Sequence, residues 1–477
     1  MVVLAAGEGK RLKSSLPKPL HEVCGRPVLW HVLTAADALR PDRLVVVVGT
    51  GKDEVIKDVA GYGLRTKPVF VDQRRLLGTG HAVMVAEEAI GKADDVVVVP
   101  GDEPLVTAEQ LKALLALHRR RRVAGVIQTT IPADAQAFSR VVRDGDEFVK
   151  LAEGSDATPE ELAIHEVATA VFAFRREDLF RALPRVDRDN RQREYYLTDV
   201  PGILREKGER ILVHLVDNGG SVGGNSRAEL AHAADVMRRR INDAHMDRGV
   251  TIVDPETVHI EPAVRIERDA IIMPFTFLEG DTRIGSGAVV GPSVRLIDTS
   301  VGRGAEIQFA VARGARIGPR VSVGPFASLR PGTVLHEASK AGTFVELKNS
   351  HVGRGSKVPH LSYVGDAIIG RDANIGAGTV TVNYDGFAKH RTVVGDGAKV
   401  GSDTMLVAPV RVGKRAYTGA GSVITEDVPT GALGIERSPQ VNVPGYATRA
   451  EARAGKPKPK SSSKSKQRAT PGRRGRS

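Results

Sequence analysis

The stretch IEPAVRIERDAIIMPFTFLEGDTRIGSGAVVGPSVRL, residues 260–296, has an aliphatic residue at every sixth position. These residues are Ile260, Ile266, Ile272, Leu278, Ile284, Val290 and Leu296. A period of six fits neither an α-helix, which repeats every ~3.6 residues, nor a free strand, which repeats every ~2. It is typical of hexapeptide repeats that wind into a parallel β-helix, in which each short strand directs one aliphatic side chain inward. The second half of the chain is therefore predicted to be a parallel β-helix.

The six-residue count returns further along the chain. It returns at Ile317, Val323, Leu329 and Leu335 and again at Val394, Val400, Leu406, Val412 and Ile424. It fails at 336–357 and around 378–392. Interruptions of a solenoid commonly loop out of the coil and build the binding site. Both segments are therefore expected to leave the coil and to border a functional site.

The first half of the chain alternates short β-branched runs, such as Val45–Val48 and Val96–Val99, with helical patterns. TAEQLKALLALHRR, residues 107–120, has leucines at helical spacing, and its Thr107 and Gln110 form a capping box. Strands and helices in alternation predict a mostly parallel sheet covered on both faces.

A long helix is predicted in SRAELAHAADVMRRRINDAHM, residues 226–246. Its apolar stripe at helical spacing consists of Leu230, Ala234, Met237 and Ile241. Ser226 and Glu229 form a second capping box at its start. Because the sequence period changes just after this helix, the boundary between two domains is expected near its end.

Composition limits the class of protein. A chain of 477 residues with 41% hydrophobic content is expected to form two or three domains. The single cysteine, Cys24, cannot form an internal disulfide, which favours a reducing compartment. No apolar run approaches the ~20 residues that span a bilayer, and the amino terminus lacks a signal-peptide pattern. A cytoplasmic protein without a membrane segment is therefore expected.

The net charge of +12 is concentrated at the carboxyl end. Residues 456–477 hold nine Lys or Arg residues and no acidic residue. This segment is poor in apolar residues and rich in Ser, Pro and Gly, which predicts disorder. A solvated extension is favoured over contact with nucleic acid, because no aromatic residue is interleaved for base stacking.

The stretch LAAGEGKRLKSSLPKPL, residues 4–20, follows a short apolar run with two glycines and several cations. It lacks the third glycine of a dinucleotide fingerprint and the Gly-Lys-Ser/Thr of a P-loop. Gly7 and Gly9 still allow a ligand to approach the backbone closely, and Arg11 and Lys18 supply charge for phosphate oxygens.

A second indication of a nucleotide site is Asp102, in VVVVPGDEPL, residues 96–105. It lies just past the carboxyl end of an apolar strand, where open parallel sheets bind their ligands. A carboxylate there is suited to hold Mg²⁺ on a nucleoside triphosphate. Together the two stretches predict a nucleoside triphosphate site.

Both stretches, with DQRRLLGTGHA (72–82) and REYYLTDV (193–200), resemble the uridylyltransferase half of the bacterial bifunctional N-acetylglucosamine-1-phosphate uridylyltransferase/glucosamine-1-phosphate acetyltransferases. VPHLSYVGDA (358–367), NIGAGTVTVNYDG (374–386) and GSDTMLVAPV (401–410) resemble the acetyltransferase half. The likeness covers residues 1 to about 445. It implies an α/β, Rossmann-like nucleotidyltransferase domain at 1–225, a linker helix at 226–248 and a left-handed parallel β-helix of hexapeptide repeats at 249–445, leaving 446–477 as a basic, disordered tail.

The resemblance also implies roles for residues of the first domain. The uracil nucleotide would be bound by Leu4, Ala5, Gly7, Arg11, Lys18, Gln73, Gly78 and Thr79, with Arg11 and Lys18 on its phosphates. Mg²⁺ would be held by Asp102 and Asn225, and the sugar by Ser139, Glu153 and Ala168. The sugar-1-phosphate oxygen would attack the α-phosphorus of UTP, and pyrophosphate would leave, aided by alignment and charge neutralisation.

This chain departs from the family pattern beside that site. Lys10 stands where the family has Thr, and Ser139 stands where it has Gly. Ala168 and Ala170 replace the Asn and Gly of an Asn-x-Gly pattern. Because a site that hydrogen-bonds its substrate discriminates strongly, the loss of the Asn side chain bears on sugar specificity.

In the second domain, His360 is the predicted general base. The attacking amine must be neutral, and a His with an ordinary pKa of about 6.5 can remove its proton near neutral pH. The resemblance implies that glucosamine-1-phosphate is bound by Arg330, Lys348, Tyr363 and Asn374. It implies that acetyl-CoA is bound by Ala377, Asn383, Tyr384, Ser402, Ala420 and Arg437. A homotrimer with the active site between subunits is implied in the same way.

Three hypotheses remain. The leading one is a bifunctional enzyme that makes UDP-N-acetylglucosamine from glucosamine-1-phosphate, acetyl-CoA and UTP. The second is an acetyltransferase whose first domain accepts another sugar phosphate or has lost activity. The third is a sugar nucleotidyltransferase with a non-catalytic β-helix, against which His360 and its basic and amide neighbours count.

Overall fold

The computed structural model describes residues 1–132, 135, 138–152, 157–190, 192–217 and 223–455. The chain divides into two compact units, Met1–Ile435 and Glu436–Ser477. The first unit contains an α/β domain, a long helix and a parallel β-helix.

The α/β domain is built around one large sheet. Its strands and those of a small hairpin are β1 (Val2–Ala5), β2 (Glu22–Val23), β3 (Arg26–Pro27), β4 (Leu44–Val48), β5 (Pro68–Asp72), β6 (Asp95–Pro100), β7 (Gly125–Thr130), β8 (Arg140–Asp144), β9 (Glu147–Ala152), β10 (Val167–Arg175) and β11 (Ile211–Leu215). The order across the large sheet is β5-β4-β1-β6-β10-β7-β11-β9-β8. β1 is parallel to β4 and β6, whereas β10 runs antiparallel between β6 and β7. The predicted mostly parallel sheet is confirmed, with two exceptions, because β10 and β9 each run antiparallel to both of their neighbours.

Helices cover both faces of this sheet. They are α1 (Val28–Asp37), α2 (Lys52–Val59), α3 (Thr79–Val85), α4 (Glu87–Ile90), α5 (Ala108–Arg121), α6 (Pro159–Leu162), α7 (Arg176–Ala182) and α8 (Val200–Glu206), with short 3₁₀ turns at Lys10–Leu12, Lys18–Leu20, Leu183–Arg185 and Leu197–Asp199. Adjacent residues of a strand point to opposite faces, so Val2 and Val3 of β1 enter two separate apolar cores. The predicted capping box of α5 is present, with Gln110 N donating to Thr107 Oγ1 at 3.2 Å and Thr107 N donating to Gln110 Oε1 at 3.0 Å.

Helix α9 (Arg227–Met246) contacts the cores of both domains. Leu230 packs in an apolar cluster with residues of the α/β domain, and Ile241 packs against the β-helix core. The second predicted capping box forms only in part. Glu229 N donates to Ser226 Oγ at 3.2 Å, but the Glu229 carboxylate accepts from the backbone of Asn225, at 2.9 Å, one residue earlier than a capping box requires.

The β-helix spans three parallel sheets over the fully described range 250–434. The first sheet contains Thr251–Ile252, Ile271–Ile272, Val289–Val290, Glu306–Ile307, Ser322–Val323, Lys340–Thr343, Lys357–His360, Asn374–Ile375, Lys399–Val400, Tyr417–Thr418 and Leu433–Gly434. The second contains His259–Ile260, Phe277–Glu279, Arg295–Ile297, Ala310–Arg313, Ala327–Leu329, Glu346–Lys348, Tyr363–Gly365, Val380–Val382, Met405–Val407 and Val423–Ile424. The third contains Arg265–Ile266, Arg283–Ile284, Ser300–Val301, Arg316–Ile317, Val334–Leu335, His351–Val352, Ala367–Ile369, Thr392–Val394 and Val410–Val412.

The residues at the six-residue period form the core of this left-handed β-helix. The seven aliphatic residues at every sixth position of 260–296 are all buried, and the most exposed of them, Ile266, is only 8% exposed. The short strands alternate one outward and one inward side chain, so each turn adds three aliphatic residues to a single continuous cluster. The predicted β-helix and its inward residues are therefore confirmed.

The prediction that residues 336–357 leave the coil is wrong. Strands continue through this segment in all three sheets, and its inward positions are taken by Ala341, Leu347, Val352 and Val358. The count fails because the first of these is alanine and because Leu347 and Val352 are five residues apart instead of six. The second interruption does leave the coil, but only over residues 383–391, between strands of the second and third sheets.

One corner of the β-helix carries exposed phenylalanines. Phe309, Phe326 and Phe344 each connect the first sheet to the second, in three consecutive turns. We call these three residues the aromatic corner. Phe326 lies 5.4 Å from Phe309 and 5.1 Å from Phe344 between ring centroids. Each has a left-handed backbone, with φ between 44° and 59°, which is unfavourable for a bulky residue.

In the second unit, Tyr446–Ala454 form helix α10. Regular structure thus extends past residue 445, where the tail was predicted to begin, because Ala, Arg and Glu in this segment are strong helix formers. The basic segment 456–477 lies outside the described residues. The described residues include no helix long and apolar enough to cross a membrane.

Candidate active sites

A cavity of about 700 Å³ opens at the carboxyl ends of β1 and β6. The predicted site residues that line it are Leu4, Ala5, Gly7, Arg11, Lys18, Gln73, Gly78, Thr79, Asp102, Ala168 and Asn225. Ser139 follows Phe138, which lines the cavity, but Ser139 itself is not among the lining residues. Glu153 lies outside the described residues. Residues predicted for one site from five distant stretches of sequence thus surround one space.

The glycine turn after β1 brings Lys18 to the cavity. Gly9 has a left-handed backbone with φ +66°, and a methyl group built on it would lie 2.8 Å from Lys18 Cβ. Only glycine therefore fits without strain and without displacing Lys18. Leu12 is buried in the 3₁₀ turn that follows and anchors the loop. Lys10, which stands where the family has Thr, is exposed and pairs with Glu8 at 2.6 Å.

Lys18 joins the two residues predicted to hold a metal ion. Its ammonium donates to the Asp102 carboxylate and, at 2.6 Å, to the amide oxygen of Asn225. The backbone around Asn225 is tied down as well, because Gly224 N donates to the carbonyl of Asp102 at 2.7 Å. Two oxygens from distant parts of the chain therefore converge on one cation.

This donor set fits Mg²⁺, which prefers carboxylate and carbonyl oxygens. Within the described ranges, no group of three or more His, Cys, Asp or Glu residues is placed to hold a metal ion. Mg²⁺ commonly takes only one or two protein ligands and completes its coordination with water and substrate phosphates. Asp102 and Asn225 suit that mode of binding.

Sequence reasoning missed Glu103, which also lines the cavity and is 2% exposed. Burial, reinforced by the negative charge of Asp102, holds the pKa of Glu103 well above its usual range. The signal that could have found it is a second carboxylate directly after the predicted metal ligand in the GDEPL stretch.

The GTG stretch after β5 is held by the REYY segment. A methyl group on Gly78 would lie 2.5 Å from the Tyr195 carbonyl oxygen, and Gly80 N donates to that oxygen at 2.8 Å. Gln73 Nε2 donates to Gly78 O at 3.0 Å, and Thr79 Oγ1 accepts from Leu197 N at 3.0 Å. The predicted nucleotide residues Gln73, Gly78 and Thr79 therefore lie together on one wall.

The wall where the sugar is expected comes from β10. Ala168, Ala170 and Phe172 present apolar side chains to the cavity. The Thr169 hydroxyl donates to Gln128 O at 3.1 Å. Ala170 has φ +59°, within a register shift of β10 against β7. The departures from the family pattern thus place methyl groups on the cavity surface.

The β-helix carries its predicted site residues in two groups, on opposite edges of the second sheet. One group lies toward the corner that joins the second and third sheets and contains Arg330, Lys348, Asn383 and Tyr384. Tyr363 begins its strand at the other end, but its hydroxyl reaches Gly365 beside this group. The other lies on the first sheet or at the corner that joins it to the second and contains His360, Asn374, Ala377, Ser402 and Ala420. Arg437 belongs to the second unit of the chain.

Two residues of the first group, Asn383 and Lys348, lie beside the Asp366 carboxylate. Asn383 Nδ2 donates to Asp366 Oδ2 at 2.5 Å, and Lys348 Nζ lies 4.0 Å from the same oxygen. Arg330 pairs with Glu346 at 3.0 Å one turn earlier. A methyl group on Gly365 would lie 2.5 Å from the Tyr363 hydroxyl and 2.8 Å from Asn383 Nδ2, so these two polar groups meet above a glycine.

The second group is stacked from turn to turn. His360 is exposed at the end of its strand, and its carbonyl oxygen accepts from Ser362 Oγ at 2.7 Å. A methyl group on Gly401 would lie 2.7 Å from Ala420 N, and one on Gly376 would meet Ser402 N. Ala377, Ser402 and Ala420 therefore follow one another along a corner kept narrow by glycines.

Comparison with known proteins covers both halves of the chain. Residues 1–199 match the family model described as a MobA-like NTP transferase domain. The chain is 48% identical over 454 residues to the bifunctional protein GlmU of Streptomyces coelicolor, covering 94% of each chain. It is 47% identical over 454 residues to GlmU of Streptomyces avermitilis, again covering 94% of each. It is 45% identical over 447 residues to GlmU of Carboxydothermus hydrogenoformans, covering 93% of this chain and 99% of that one.

Proposed function

The chain belongs to the family of bifunctional GlmU proteins, and from this premise we propose how its two sites divide the synthesis of UDP-N-acetylglucosamine. It is an enzyme with acetyltransferase and uridylyltransferase activities. The β-helix acetylates glucosamine-1-phosphate with acetyl-CoA. The α/β domain transfers UMP from UTP to N-acetylglucosamine-1-phosphate and releases pyrophosphate.

In the α/β domain, Gln73, Gly78 and Thr79 bind the uracil nucleotide, and Arg11 and Lys18 contact its phosphates. The observation that carries this assignment is the convergence of Asp102 and Asn225 on the Lys18 ammonium. Asp102 and Asn225 would hold Mg²⁺. When bound, this ion would neutralise negative charge on the phosphates. The residues of the cavity align the sugar phosphate with the α-phosphorus, so the chemistry depends on positioning and charge.

In the β-helix, His360 accepts a proton from the amine of glucosamine-1-phosphate. The amine nitrogen then bonds to the acetyl carbon, and the carbon–sulfur bond breaks. CoA leaves as a thiolate that takes up the proton held by His360, so atoms and charge balance. Lys348 and Arg330 contact the phosphate, and Tyr363 contacts the sugar. The meeting of the Tyr363 hydroxyl with the Asn383 amide above Gly365 supports this arrangement.

The acetyltransferase site is completed by a second copy of the chain in a homotrimer. The residues predicted for the acetyltransferase site lie in two groups on opposite edges of one sheet. This separation supports a site assembled from two subunits. The aromatic corner supports the same proposal, because Phe326 is 55% exposed and contiguous exposed aromatic side chains are characteristic of interaction surfaces.

A cytoplasmic location is part of the proposal. Cys24 is the one cysteine of the sequence and is a free thiol, which suits a reducing compartment. The basic segment 456–477 is proposed as a solvated extension, with nucleic acid as the less favoured partner.

One pair of variants tests the two activities. His360→Ala should lower CoA release by about 100-fold or more, the scale of general-base catalysis, and leave pyrophosphate release unchanged. Asp102→Ala should abolish pyrophosphate release from UTP and N-acetylglucosamine-1-phosphate and leave CoA release unchanged. Each activity thus serves as the folding control for the other. Unchanged CoA release by His360→Ala would contradict the base assignment, whereas a wild-type protein that releases no CoA would favour a non-catalytic β-helix.

The apolar wall of Ala168, Ala170 and Phe172 favours a second candidate for the first domain, a broader choice of sugar. The wild-type protein should therefore be supplied with glucose-1-phosphate and glucosamine-1-phosphate beside the N-acetylated substrate. A kcat/KM within tenfold for all three would support broad specificity. Strong preference for the N-acetylated sugar would contradict it.

A further inference from the structure

Asp366 occupies a single-residue corner between strands Tyr363–Gly365 and Ala367–Ile369. It is 8% exposed and has a left-handed backbone with φ +50°. A non-glycine residue is uncommon in this conformation, and Asp is among the residues that tolerate it. The corner therefore accepts an aspartate but does not by itself require a carboxylate.

The partners of the carboxylate are side chains from the turns before and after. Asn349 Nδ2 donates to Oδ1 at 2.6 Å, and Asn383 Nδ2 donates to Oδ2 at 2.5 Å. Each asparagine is 17 residues from Asp366, which is one turn of the coil at this point. Three polar side chains thus form a ladder along the corner, with the single negative charge at its centre.

Two lysines face this charge. Lys348 Nζ lies 4.0 Å from Asp366 Oδ2. The contact with Lys348 and its positive charge lower the pKa of Lys389, while the charge of Asp366 acts in the opposite direction. Burial acts to raise the pKa of Asp366, but hydrogen bonds from the two asparagines and the lysine charges outweigh it and hold that pKa low. The carboxylate therefore stays ionised between cations.

We propose that Asp366 is a positioning residue for acetyl transfer, whose carboxylate fixes the Asn383 amide and holds the Lys348 ammonium at one corner. This inference rests on the proposed function, in which Lys348 contacts the sugar phosphate, and on the role predicted from the sequence for Asn383, contact with acetyl-CoA. One side chain then sets the position of a donor group for each substrate, so their binding geometries depend on each other.

The same corner offers a comparison in an earlier turn. Asp298 also has a left-handed backbone, with φ +48°, and joins the second sheet to the third. Its Oδ1 accepts from the backbone nitrogen of Asp281 at 2.9 Å. Asp298 therefore shares the backbone role of Asp366 and is distant in sequence from the predicted acetyltransferase residues, which makes Asp298→Asn a matched control.

The test substitution is Asp366→Asn. Asparagine has nearly the same size as aspartate and also tolerates the left-handed backbone of this corner. The two neighbouring amides donate to different carboxylate oxygens, and an asparagine keeps only one of these oxygens. One amide therefore loses its acceptor, and the lysines lose their counter-charge. We expect kcat for CoA release to fall at least tenfold, and the KM and calorimetric Kd for acetyl-CoA to rise at least threefold. Asp298→Asn should leave all three values within twofold of wild type.

A purely structural role predicts another pattern. It would lower the melting temperature and the fraction of active enzyme, while the KM and Kd for acetyl-CoA, which do not depend on that fraction, would stay unchanged. That result would overturn the inference, as would wild-type values for Asp366→Asn throughout. If the wild-type protein itself released no CoA, the proposed function would fail. An unchanged acetyl-CoA Kd in Asp366→Asn would then overturn the present inference separately.

Discussion

The ammonium nitrogen of Lys18 lies 2.6 Å from the amide oxygen of Asn225, although 207 positions separate the two residues in the chain. The same ammonium donates to Asp102. The glycine turn near the start of the α/β domain and the segment that leads into helix α9 are thereby joined across the cavity. The cation is held by the oxygens proposed to bind Mg²⁺, so it has to share or leave them when substrate and metal bind.

Lys18→Gln should lower kcat/KM for pyrophosphate release about 10- to 100-fold, since a hydrogen bond to a charged group contributes about 1.5–3 kcal/mol. Because the substitution also frees the oxygens of Asp102 and Asn225, Mn²⁺ should bind more tightly to the variant without nucleotide, as measured by electron paramagnetic resonance. Lys52→Gln, which removes the partner of Asp72 at 2.7 Å, is the control. Equal Mn²⁺ affinity in wild type and Lys18→Gln would contradict the sharing of ligands.

Gly365→Ala should impair acetyl transfer more than it impairs folding. The added methyl group would meet the Tyr363 hydroxyl and Asn383 Nδ2, which are the ends of side chains and can move aside. The fold should survive while the two site groups shift. Overpacking typically costs about 1–3 kcal/mol. Because this cost falls on the site groups, CoA release should fall at least about tenfold.

The control for this variant is Gly202→Ala in helix α8, where a methyl group would have no neighbour within 4 Å. It should leave both activities unchanged and raise the free energy of unfolding by up to about 1 kcal/mol, the helix preference of Ala over Gly. Loss of CoA release only in proportion to lost stability in Gly365→Ala would count against a role in the site.

Asp37→Asn should make stability less dependent on pH in the acid range. The buried Asp37 carboxylate accepts from Arg65 N at 2.9 Å and Thr66 N at 2.8 Å. Burial acts to raise the pKa of Asp37, but these donors outweigh it and the pKa is lowered. A lowered pKa stabilises the fold above the unfolded value of about 3.9, and this contribution is lost as the pH falls through the folded pKa.

The free energy of unfolding should therefore differ between wild type and Asp37→Asn by about 1–3 kcal/mol at pH 7. The difference should shrink below about pH 4. Urea unfolding across this range measures it, with the exposed Asp144→Asn as control. A difference that stays constant with pH would show that the carboxylate charge is not responsible.

Phe326→Asn should separate oligomerisation from folding. Asn tolerates the left-handed backbone that Phe326 adopts at φ +59°, so the isolated subunit should be no less stable. Loss of the exposed ring should weaken the trimer, measured by sedimentation, and lower CoA release while pyrophosphate release is retained. Arg320→Asn, at φ +54° on another corner, is the control. A Phe326→Asn protein that remains fully trimeric would contradict the proposed role of the aromatic corner.

Much of the β-helix could be predicted because its inward positions repeat independently of context. Within 336–357 the six-residue count failed although the coil continues. Ala341 fills an inward position with a methyl group, and the turn between Leu347 and Val352 is one residue short, so a pattern search loses its register there. The coil itself continues, because parallel strand pairing does not require equal turn lengths.

The site was harder to predict than the core. Asp366 stood inside a quoted motif, but its role depends on Asn349 and Asn383, each one coil away. Polar residues repeated at 17 positions would have been the signal, and it becomes visible only once the length of the coil is known. The division of the acetyltransferase residues between two edges of a sheet likewise depends on three-dimensional turn geometry that no local pattern records.

Helix α9 packs Leu230 against residues of the α/β domain and Ile241 against the β-helix. A gene fission that placed the two catalytic halves on separate polypeptides would have to divide this helix, or else expose to solvent the apolar side chains that it packs against one of the two domains. In either case the newly exposed apolar side chains would promote aggregation until they were replaced by polar ones. The shared helix thus makes the fused arrangement difficult to reverse in evolution, whatever advantage two free-standing enzymes would offer.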